Sequence, residues 1–264
     1  MVAWVAWELA LEGLCRTAKP DDAIRGCTVL IPYALAIDGD LGAAHVDRGV
    51  AYLRKGLNDQ AIADFSGAIA LTSWNTGPYL PAAYVDRGIA YRRQGAGDKA
   101  IADETTAISL RPDDINAYVQ RAITYRKAGL MDRAVADDTR AIAIRPGDAG
   151  LYVNRGIVLI DMGLYDRAIA DAGRALALRP KDAAAFNTRA CAYHLKGEDA
   201  RGLADAQAAV ALAPGEPNAR ETRAEIYEKL GRWDEARADY RAVLKAHPDD
   251  TFARSGLASL GGAP

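Results

Sequence analysis

The amino-acid sequence predicts an all-α fold built from a tandem array of antiparallel helix pairs. A phrase that runs from Ala83 to Tyr91 returns, degraded, from Ala117 to Tyr125, and this fixed offset of 34 residues is the signature of a repeat architecture. Within the repeats, apolar and small residues recur at spacings of three and four, which is helical periodicity rather than the alternation of a strand. A glycine then divides every repeat into two helices.

The repeats follow one another in one register. Five of them share the strict offset, and a sixth precedes them with five extra residues inserted between Ser73 and Pro81. The predicted boundaries are 42–80, 81–114, 115–148, 149–182, 183–216 and 217–250.

Both ends of the chain depart from the repeat. Residues 1–41 are predicted to form a degenerate hairpin, and residues 251–264 a C-terminal capping helix that covers the last repeat with Phe252, Leu257 and Leu260. Because such repeats bury their apolar faces only by stacking on neighbours, we expect residues 1–264 to form a single stack without internal domain boundaries.

Each predicted helix ends at a residue suited to stopping it. A proline followed by aspartate, as in Pro112-Asp113-Asp114, closes a second helix, and the aspartate can cap the helix that follows. The first helices end at a glycine in repeat position 15, where a positive φ is cheap. These glycines are Gly56, Gly95, Gly129, Gly163, Gly197 and Gly231.

The residues at fixed repeat positions resemble the tetratricopeptide repeat, with a bulky residue at position 4, Gly or Ala at 8, Tyr at 11, Ala at 20, an aromatic at 24, Ala at 27 and Pro at 32. The last repeat has Tyr227, Ala236, Tyr240 and Pro248 in such places. The resemblance covers residues 42–250 and implies a right-handed superhelical solenoid of antiparallel helix pairs that binds other proteins. Four repeats depart from it at position 24, which holds Glu104, Asp138, Ala172 and Ala206.

Charge and hydropathy exclude several partner classes. The formal net charge of -2 gives no positive field of the kind that draws a protein onto nucleic acid, so no nucleic acid partner is expected. No stretch approaches the roughly 18 apolar residues of a membrane helix, so no membrane insertion is expected. Residues Met1–Ala10 lack the basic start and cleavage site of a secretory signal.

Cys15, Cys27 and Cys191 are too few for a disulfide framework or a four-cysteine zinc site. The cytoplasm is therefore the expected location. The alternative is a periplasmic protein whose export signal is missing from the sequence, in which Cys15 and Cys27, on successive helices of the first hairpin, could pair.

Catalytic and cofactor signatures are missing from the sequence, including phosphate loops, nucleotide-binding glycine patterns and metalloprotease or hydrolase motifs. His45, His194 and His247 fall at different repeat positions and are not predicted to converge on a metal. Cys191 faces the groove as a small packed thiol, with no base placed beside it. We therefore expect no enzymatic activity and no cofactor.

One pair of charges recurs in all six repeats, arginine at position 7 and aspartate at position 23. The favoured interpretation is a structural bridge between helices, and the alternative is an arginine row that binds phosphate or carboxylate ligands. The residues are Arg48, Arg87, Arg121, Arg155, Arg189 and Arg223, with Asp64, Asp103, Asp137, Asp171, Asp205 and Asp239.

The resemblance also implies that first-helix positions 5 and 9 line a concave groove. These positions are apolar in the first four repeats and acidic in the last, and basic residues stand beside them early in the chain. They either pack against neighbouring first helices or form a binding surface. The predicted partner-binding residues are Val85, Ile89, Arg92, Arg93, Val119, Ile123, Arg126, Lys127, Val153, Ile157, Glu221, Glu225 and Glu228.

These features predict a scaffold whose groove accepts a peptide or helical segment of a partner protein. The alternative is a self-assembling structural protein, in which the N-terminal hairpin with Trp4 and Trp7 docks into a neighbour's groove. An enzyme or an RNA-binding solenoid is opposed by the missing motifs and the acidic charge.

Overall fold

The computed structural model describes residues 13–17, 19–34, 41–71 and 79–261. The regular secondary structure in these ranges is α-helical, and none of the helices there is long and apolar enough to cross a membrane. The helices are α1 (Pro20–Ala34), α2 (Leu41–Arg54), α3 (Asn58–Leu71), α4 (Leu80–Arg93), α5 (Gly97–Leu110), α6 (Ile115–Lys127), α7 (Met131–Ile144), α8 (Ala149–Asp161), α9 (Tyr165–Leu178), α10 (Ala183–Leu195), α11 (Asp199–Leu212), α12 (Pro217–Lys229), α13 (Trp233–Ala246) and α14 (Thr251–Ser259).

The chain divides into two compact units, Met1–Leu130 and Met131–Pro264. In the first unit, α1 packs on α2, the pairs α2–α3 and α4–α5 follow, and α6 packs on α5. In the second, α7 packs on α8, the pairs α8–α9, α10–α11 and α12–α13 follow, and α14 packs on α13. Helix α10 also contacts both α8 and α12, so these three first helices lie side by side.

A single stack over residues 1–264, with the repeat boundaries given above, stays a prediction. Parts of it lie outside the described residues, namely Trp4 and Trp7 in the N-terminal hairpin and most of the insertion between Ser73 and Pro81.

The predicted helix stops and caps are confirmed in the described residues. The six position-15 glycines have φ between 72° and 82°, the left-handed region in which glycine carries no steric penalty. Asp114, Asp148, Asp182 and Asp250 precede α6, α8, α10 and α14, and each carboxylate accepts a hydrogen bond from a first-turn backbone N–H. Such caps satisfy donors that have no partner within the helix.

Small residues let the two helices of a repeat approach closely. Phe65 is fully buried against Gly49, where an added Cβ would lie 2.7 Å from a ring carbon of Phe65. Alanine takes the place of the aromatic at Ala172 and Ala206, both fully buried. At position 24 the core therefore depends on a small residue in these two repeats, whereas Phe65 fills that position in the first repeat and Tyr240 fills it in the last.

The arginine and aspartate of a repeat form a two-pronged ion pair between its helices. The arginine Nε and Nη2 donate to the two carboxylate oxygens at 2.6 to 2.8 Å, and the aspartates are buried. This fork fixes both the separation and the rotation of the two helices. The pairs within one compact unit are Arg48–Asp64, Arg87–Asp103, Arg155–Asp171, Arg189–Asp205 and Arg223–Asp239.

The third nitrogen of several of these arginines reaches the preceding repeat. Nη1 of Arg87 donates to the hydroxyl of Ser66 at 2.9 Å, and Nη1 of Arg155 donates to Thr139 at 3.0 Å. The equivalent positions before Arg189 and Arg223 are Gly173 and Gln207, and the described residues show no such bond there. The cross-repeat bond is therefore missing at the last two junctions.

Helix α14 packs on α13 at the end of the second unit. Leu257 is fully buried in a cluster with Tyr240 and Val243, and Leu260 packs against the same cluster. Phe252 remains nearly half exposed, and its ring meets the Tyr240 ring edge-on at a centroid distance of 6.5 Å.

A disulfide joins Cys15 to Cys27 and fastens residues 13–17 to α1. Both cysteines are buried and pack with Leu30 and with Ala44 of α2. The pairing that the sequence left open is therefore present in the structure.

Position 24 of the second repeat buries a carboxyl group where the family pattern has an aromatic ring. Glu104 is fully buried, and its Oε1 accepts hydrogen bonds from the Thr124 hydroxyl at 2.9 Å and from Nη1 of Arg92 at 3.1 Å. Oε2 has no partner among the described residues. Burial raises the pKa of Glu104 to about 7, although Thr124 and Arg92 oppose the shift.

We expect the fork between Arg189 and Asp205 to contribute coupled stability. Arg189→Met and Asp205→Asn should each destabilise the protein, and the double variant should cost less than the sum by on the order of 1 kcal/mol. Chemical denaturation of the four proteins, followed by circular dichroism, measures this coupling. The control is Arg237 with Asp234, an exposed pair that should couple less. Strict additivity at Arg189 and Asp205 would show that the fork contributes no stability of its own.

Glu104 should make the folded state less stable as the pH rises. Because its pKa in the folded protein lies above the ordinary value near 4.3, the folded state binds the proton more tightly, and stability is lost as the pH rises through about 7. Thermal unfolding below and above that pH should show a smaller loss in Glu104→Gln than in the wild type. Thr124→Val, which removes a bond that lowers this pKa, should move the loss to higher pH. An unchanged pH profile in Glu104→Gln would contradict the assignment.

Candidate functional site

A pocket of about 340 Å³ opens between the first helices of the second unit. Val153 and Ile157, one turn apart on α8, form one wall, as the spacing of positions 5 and 9 predicts. The first turns of α10 form the second wall. The loop before α12 and the first turn of α12 form the third wall. The remaining lining residues are Ala183, Ala184, Asn187, Thr188, Ala213, Glu216, Asn218 and Ala219.

The pocket combines an apolar wall with few polar groups. Alanines keep it open, because larger side chains at Ala184 or Ala213 would extend into this space. The Oδ1 atom of Asn187 is buried and has no hydrogen-bond partner among the described residues. An unpaired buried acceptor is costly, so a ligand donor that reached Asn187 would gain an uncommitted hydrogen bond. Asn187 was not among the predicted partner-binding residues, although it occupies repeat position 5, which is expected from the sequence to line the groove.

Glu221, Glu225 and Glu228 lie along α12, beyond the pocket-lining residues of its first turn. Burial raises the pKa of Glu221 to about 7, and Asp250 and Glu225 add to the shift. Burial also raises the pKa of Glu225, with Glu228 adding to the shift and His194 opposing it. Glu228 accepts a hydrogen bond from the Tyr240 hydroxyl at 2.6 Å. The helix therefore carries carboxylates that repel one another.

Cys191, on α10, belongs to the same electrostatic environment. Burial, together with the charges of Glu225 and Asp161, raises the pKa of its thiol to about 11. Since the thiolate is the reactive form, a thiol in this setting is a poor nucleophile. Cys191 is a packed side chain beside the groove.

In the first unit, the predicted apolar groove residues differ in exposure. Val85 is only 1% exposed and packs with Ala107 and Ala117, because α5 and α6 cover it. Ile89, Val119 and Ile123 are partly exposed. Val85, and likewise the buried Val153, can therefore offer a partner little surface, whereas the isoleucines retain accessible atoms.

The predicted basic residues of the first unit also differ. Arg92 is mostly buried, and in addition to Glu104 it donates to the backbone oxygen and the side-chain Oε1 of Gln120. Arg93 is exposed and donates to the backbone oxygen of Leu53, and Arg126 and Lys127 are exposed. Binding to Arg92 would have to displace its internal bonds, so any partner role for the thirteen predicted residues remains a prediction.

Asp86, on α4, was not among the predicted groove residues. The described residues give its carboxylate no hydrogen bond or ion pair, and burial raises its pKa to about 6. Asp86 occupies repeat position 6, next to the apolar position 5, and this position in the sequence could have identified it as a groove residue.

Neither a metal centre nor a free arginine row emerges from the described ranges. No group of three or more His, Cys, Asp or Glu side chains there could hold a metal ion. His45 is hydrogen-bonded to Asp64 and His194 to Asp199. The five arginines of the forks described above already direct two donors each at a carboxylate, which leaves little for an anionic ligand.

Comparison with known proteins relates these features to a family. Two sequence models described as tetratricopeptide repeat match residues 153–217 and 217–260. No curated protein sequence matches the chain.

Solved structures share the fold. A thermophilic tetratricopeptide repeat protein of Thermus thermophilus is 26% identical, with a TM-score of 0.61, over 68% of this chain and 98% of that one. A chain of the APC/C hetero-tetramer Cut9-Hcn1 is 18% identical, with a TM-score of 0.71, over 96% of this chain and 48% of that one. YrrB, described as a TPR protein with an unusual peptide-binding site, is 18% identical, with a TM-score of 0.50, over 74% of this chain and 97% of that one.

These matches agree with the helix pairs, the glycine-marked turns and the 34-residue offset described above. The all-α superhelical repeat predicted from the sequence is confirmed as the fold class. Residues 153–260 therefore carry tetratricopeptide repeats, and the chain has the fold of tetratricopeptide repeat proteins, which supports a protein-interaction scaffold in general terms.

Proposed function

We propose that the protein binds a peptide or helical segment of a partner protein in the groove formed by its first helices. The observation that carries this proposal is the pocket between α8, α10 and α12, which has an apolar wall and an unsatisfied acceptor at Asn187. A pocket of this kind takes one apolar side chain and fixes it by a few polar contacts. The described peptide-binding site of YrrB, on a similar fold, supports a peptide as the ligand.

The contacts would divide between affinity and orientation. An apolar side chain of the partner enters between Val153 and Ile157 on one side and the alanines of α10 on the other. Asn187 lines the pocket, and a rotation of its side chain would expose the buried, unpaired Oδ1 to a backbone N–H or a side-chain donor of the partner. Ile89, Val119 and Ile123 offer further apolar contact in the first unit, and Arg93, Arg126 and Lys127 offer charge there. The function we assign to these groove residues of both units is binding without catalysis.

We infer that the protein works in an oxidising compartment such as the periplasm, rather than in the cytoplasm first expected. The Cys15–Cys27 disulfide supports this, because stable disulfides persist where the thiol-reducing systems of the cytosol are absent.

The disulfide makes the location testable. The native cells are lysed in an alkylating reagent that traps free thiols, and the protein is then denatured in the same reagent. The label should appear on Cys191 alone until a reductant is added. Peptide mass spectrometry gives the labelled sites. Labelling of all three cysteines without reductant would place the protein in a reducing compartment.

Ile157→Asp should abolish most partner binding. The substitution places a charge on a wall that the proposed ligand desolvates, and we expect at least a tenfold rise in the dissociation constant, about 1.4 kcal/mol. Partners captured from native extract with the wild type are quantified by mass spectrometry and then compared with captures by the variant. Circular dichroism checks that the variant is folded.

The control is Arg174→Glu, which places a charge change on the exposed face of α9, away from the pocket. It should capture the same proteins as the wild type. Loss of binding in Arg174→Glu, with normal binding by folded Ile157→Asp, would move the site to the second helices and reject the groove.

A further inference from the structure

We propose that the groove of the second unit selects segments in which an apolar side chain stands next to a lysine or arginine. This inference rests on the proposed function and adds the chemistry of the partner. The apolar side chain occupies the pocket, and the basic group pairs with Glu221 and Glu225 on α12. Both features belong to one surface, because α12 supplies pocket-lining residues in its first turn and the two carboxylates in the turns that follow.

On α8, α10 and α12, most of the positive charges are paired within the protein, whereas several of the negative charges are not. The arginines of α8, α10 and α12 that belong to the forks, Arg155, Arg189 and Arg223, are each bound to a buried aspartate. Arg220 is bound to Asp239 as well. The cationic groups of these helices are therefore directed at the second helices, with the exception of Lys229 and, when protonated, His194, which is hydrogen-bonded to Asp199.

The carboxylates are not compensated in the same way. Among the described residues, the side chains of Glu225 and of the pocket-lining Glu216 have no hydrogen bond or ion pair, and the carboxyl group of Glu221 shares a hydrogen bond with another carboxyl group, that of Asp250. The groups that face Glu225 are Glu221, Glu228 and Lys229 of its own helix and Cys191 and His194 of α10. Of these, His194 and Lys229 oppose the rise of its pKa without reversing it. A ligand cation would relieve this crowding, whereas a ligand carboxylate would add to it.

The geometry suits a long basic side chain. Lysine and arginine lay an apolar stem along a surface while the charged head reaches a carboxylate. A stem that leaves the pocket past Asn218 and Ala219 meets Glu221 within one turn of the same helix. The desolvation that raises the pKa of Glu221 also strengthens a charge-assisted hydrogen bond to it.

The test uses a random peptide library displayed on phage, selected on the purified full-length protein. Enriched peptides should carry lysine or arginine beside an apolar residue. A fluorescein-labelled synthetic copy of the most enriched peptide is then titrated by fluorescence anisotropy. The variant Glu221→Gln with Glu225→Gln should bind it at least tenfold more weakly, with a smaller dependence on salt.

A matched control removes two carboxylates elsewhere in the same unit. Asp132→Asn with Asp166→Asn changes the net charge equally, on exposed positions of α7 and α9, and should bind the peptide as the wild type does. Without any peptide, and at a pH above 7, the Glu221→Gln, Glu225→Gln variant should also unfold at a higher temperature than the wild type, because like charges have been removed. That second readout needs no ligand.

The outcomes separate the two proposals. Two outcomes would overturn the charge selection and leave groove binding standing. In the first, the enriched peptides lack basic residues but bind Ile157→Asp more weakly than the wild type. In the second, they bind Ile157→Asp more weakly but bind the Glu221→Gln, Glu225→Gln variant as tightly as the wild type. Enriched peptides that bind Ile157→Asp as tightly as the wild type overturn both. A library without any enriched peptide also counts against both.

Discussion

The two-pronged ion pair between arginine and aspartate is the interaction on which the helix pairs depend. Alanines recur among the fully buried residues of every repeat, and because alanine offers little interlocking shape, apolar packing alone would define the relative position of the two helices less sharply. A planar guanidinium that meets both oxygens of a buried carboxylate allows one separation and one rotation. The aspartate also tolerates burial only with its partner in place, so the loss of either member should destabilise each of the five repeats in which the fork is seen.

The pairing has an electrostatic consequence for the groove. By directing the arginines of the first helices toward the second helices, it removes most of their positive charge from the surface that the first helices share. The carboxylates of α12 then dominate a surface that carries both signs in the sequence. The formal net charge of -2 therefore understates how acidic this part of the second unit is.

The repeat could be read from the sequence because its marks are local. Glycines with positive φ, capping aspartates and the charge pair each depend on residues a few positions away or in the same hairpin. The exposure of the groove residues could not be read in the same way. Val85 and Ile89 have the same periodicity, but Val85 is covered by neighbouring helices and Ile89 is partly open. Arg92 turned inward because Glu104 replaces an aromatic at position 24, a departure visible in the sequence whose partner is set by packing.

The last two junctions of the second unit have no hydroxyl for the third arginine nitrogen, since Gly173 and Gln207 stand where Ser66 and Thr139 stand earlier. Those same junctions bound the pocket. Adjacent repeats there are joined by apolar contact, by the exposed ion pair between Lys196 and Asp166, and by a 3.5 Å hydrogen bond from Gln207 to the Tyr227 hydroxyl. None of these contacts involves a fork arginine. The fork arginines therefore do not fix the angle between the repeats that bound the pocket, and a ligand with a larger or smaller apolar side chain would shift the population toward the angle that suits it. Earlier in the array, the bonds from Arg87 to Ser66 and from Arg155 to Thr139 add a directional contact between neighbouring repeats that these two junctions lack.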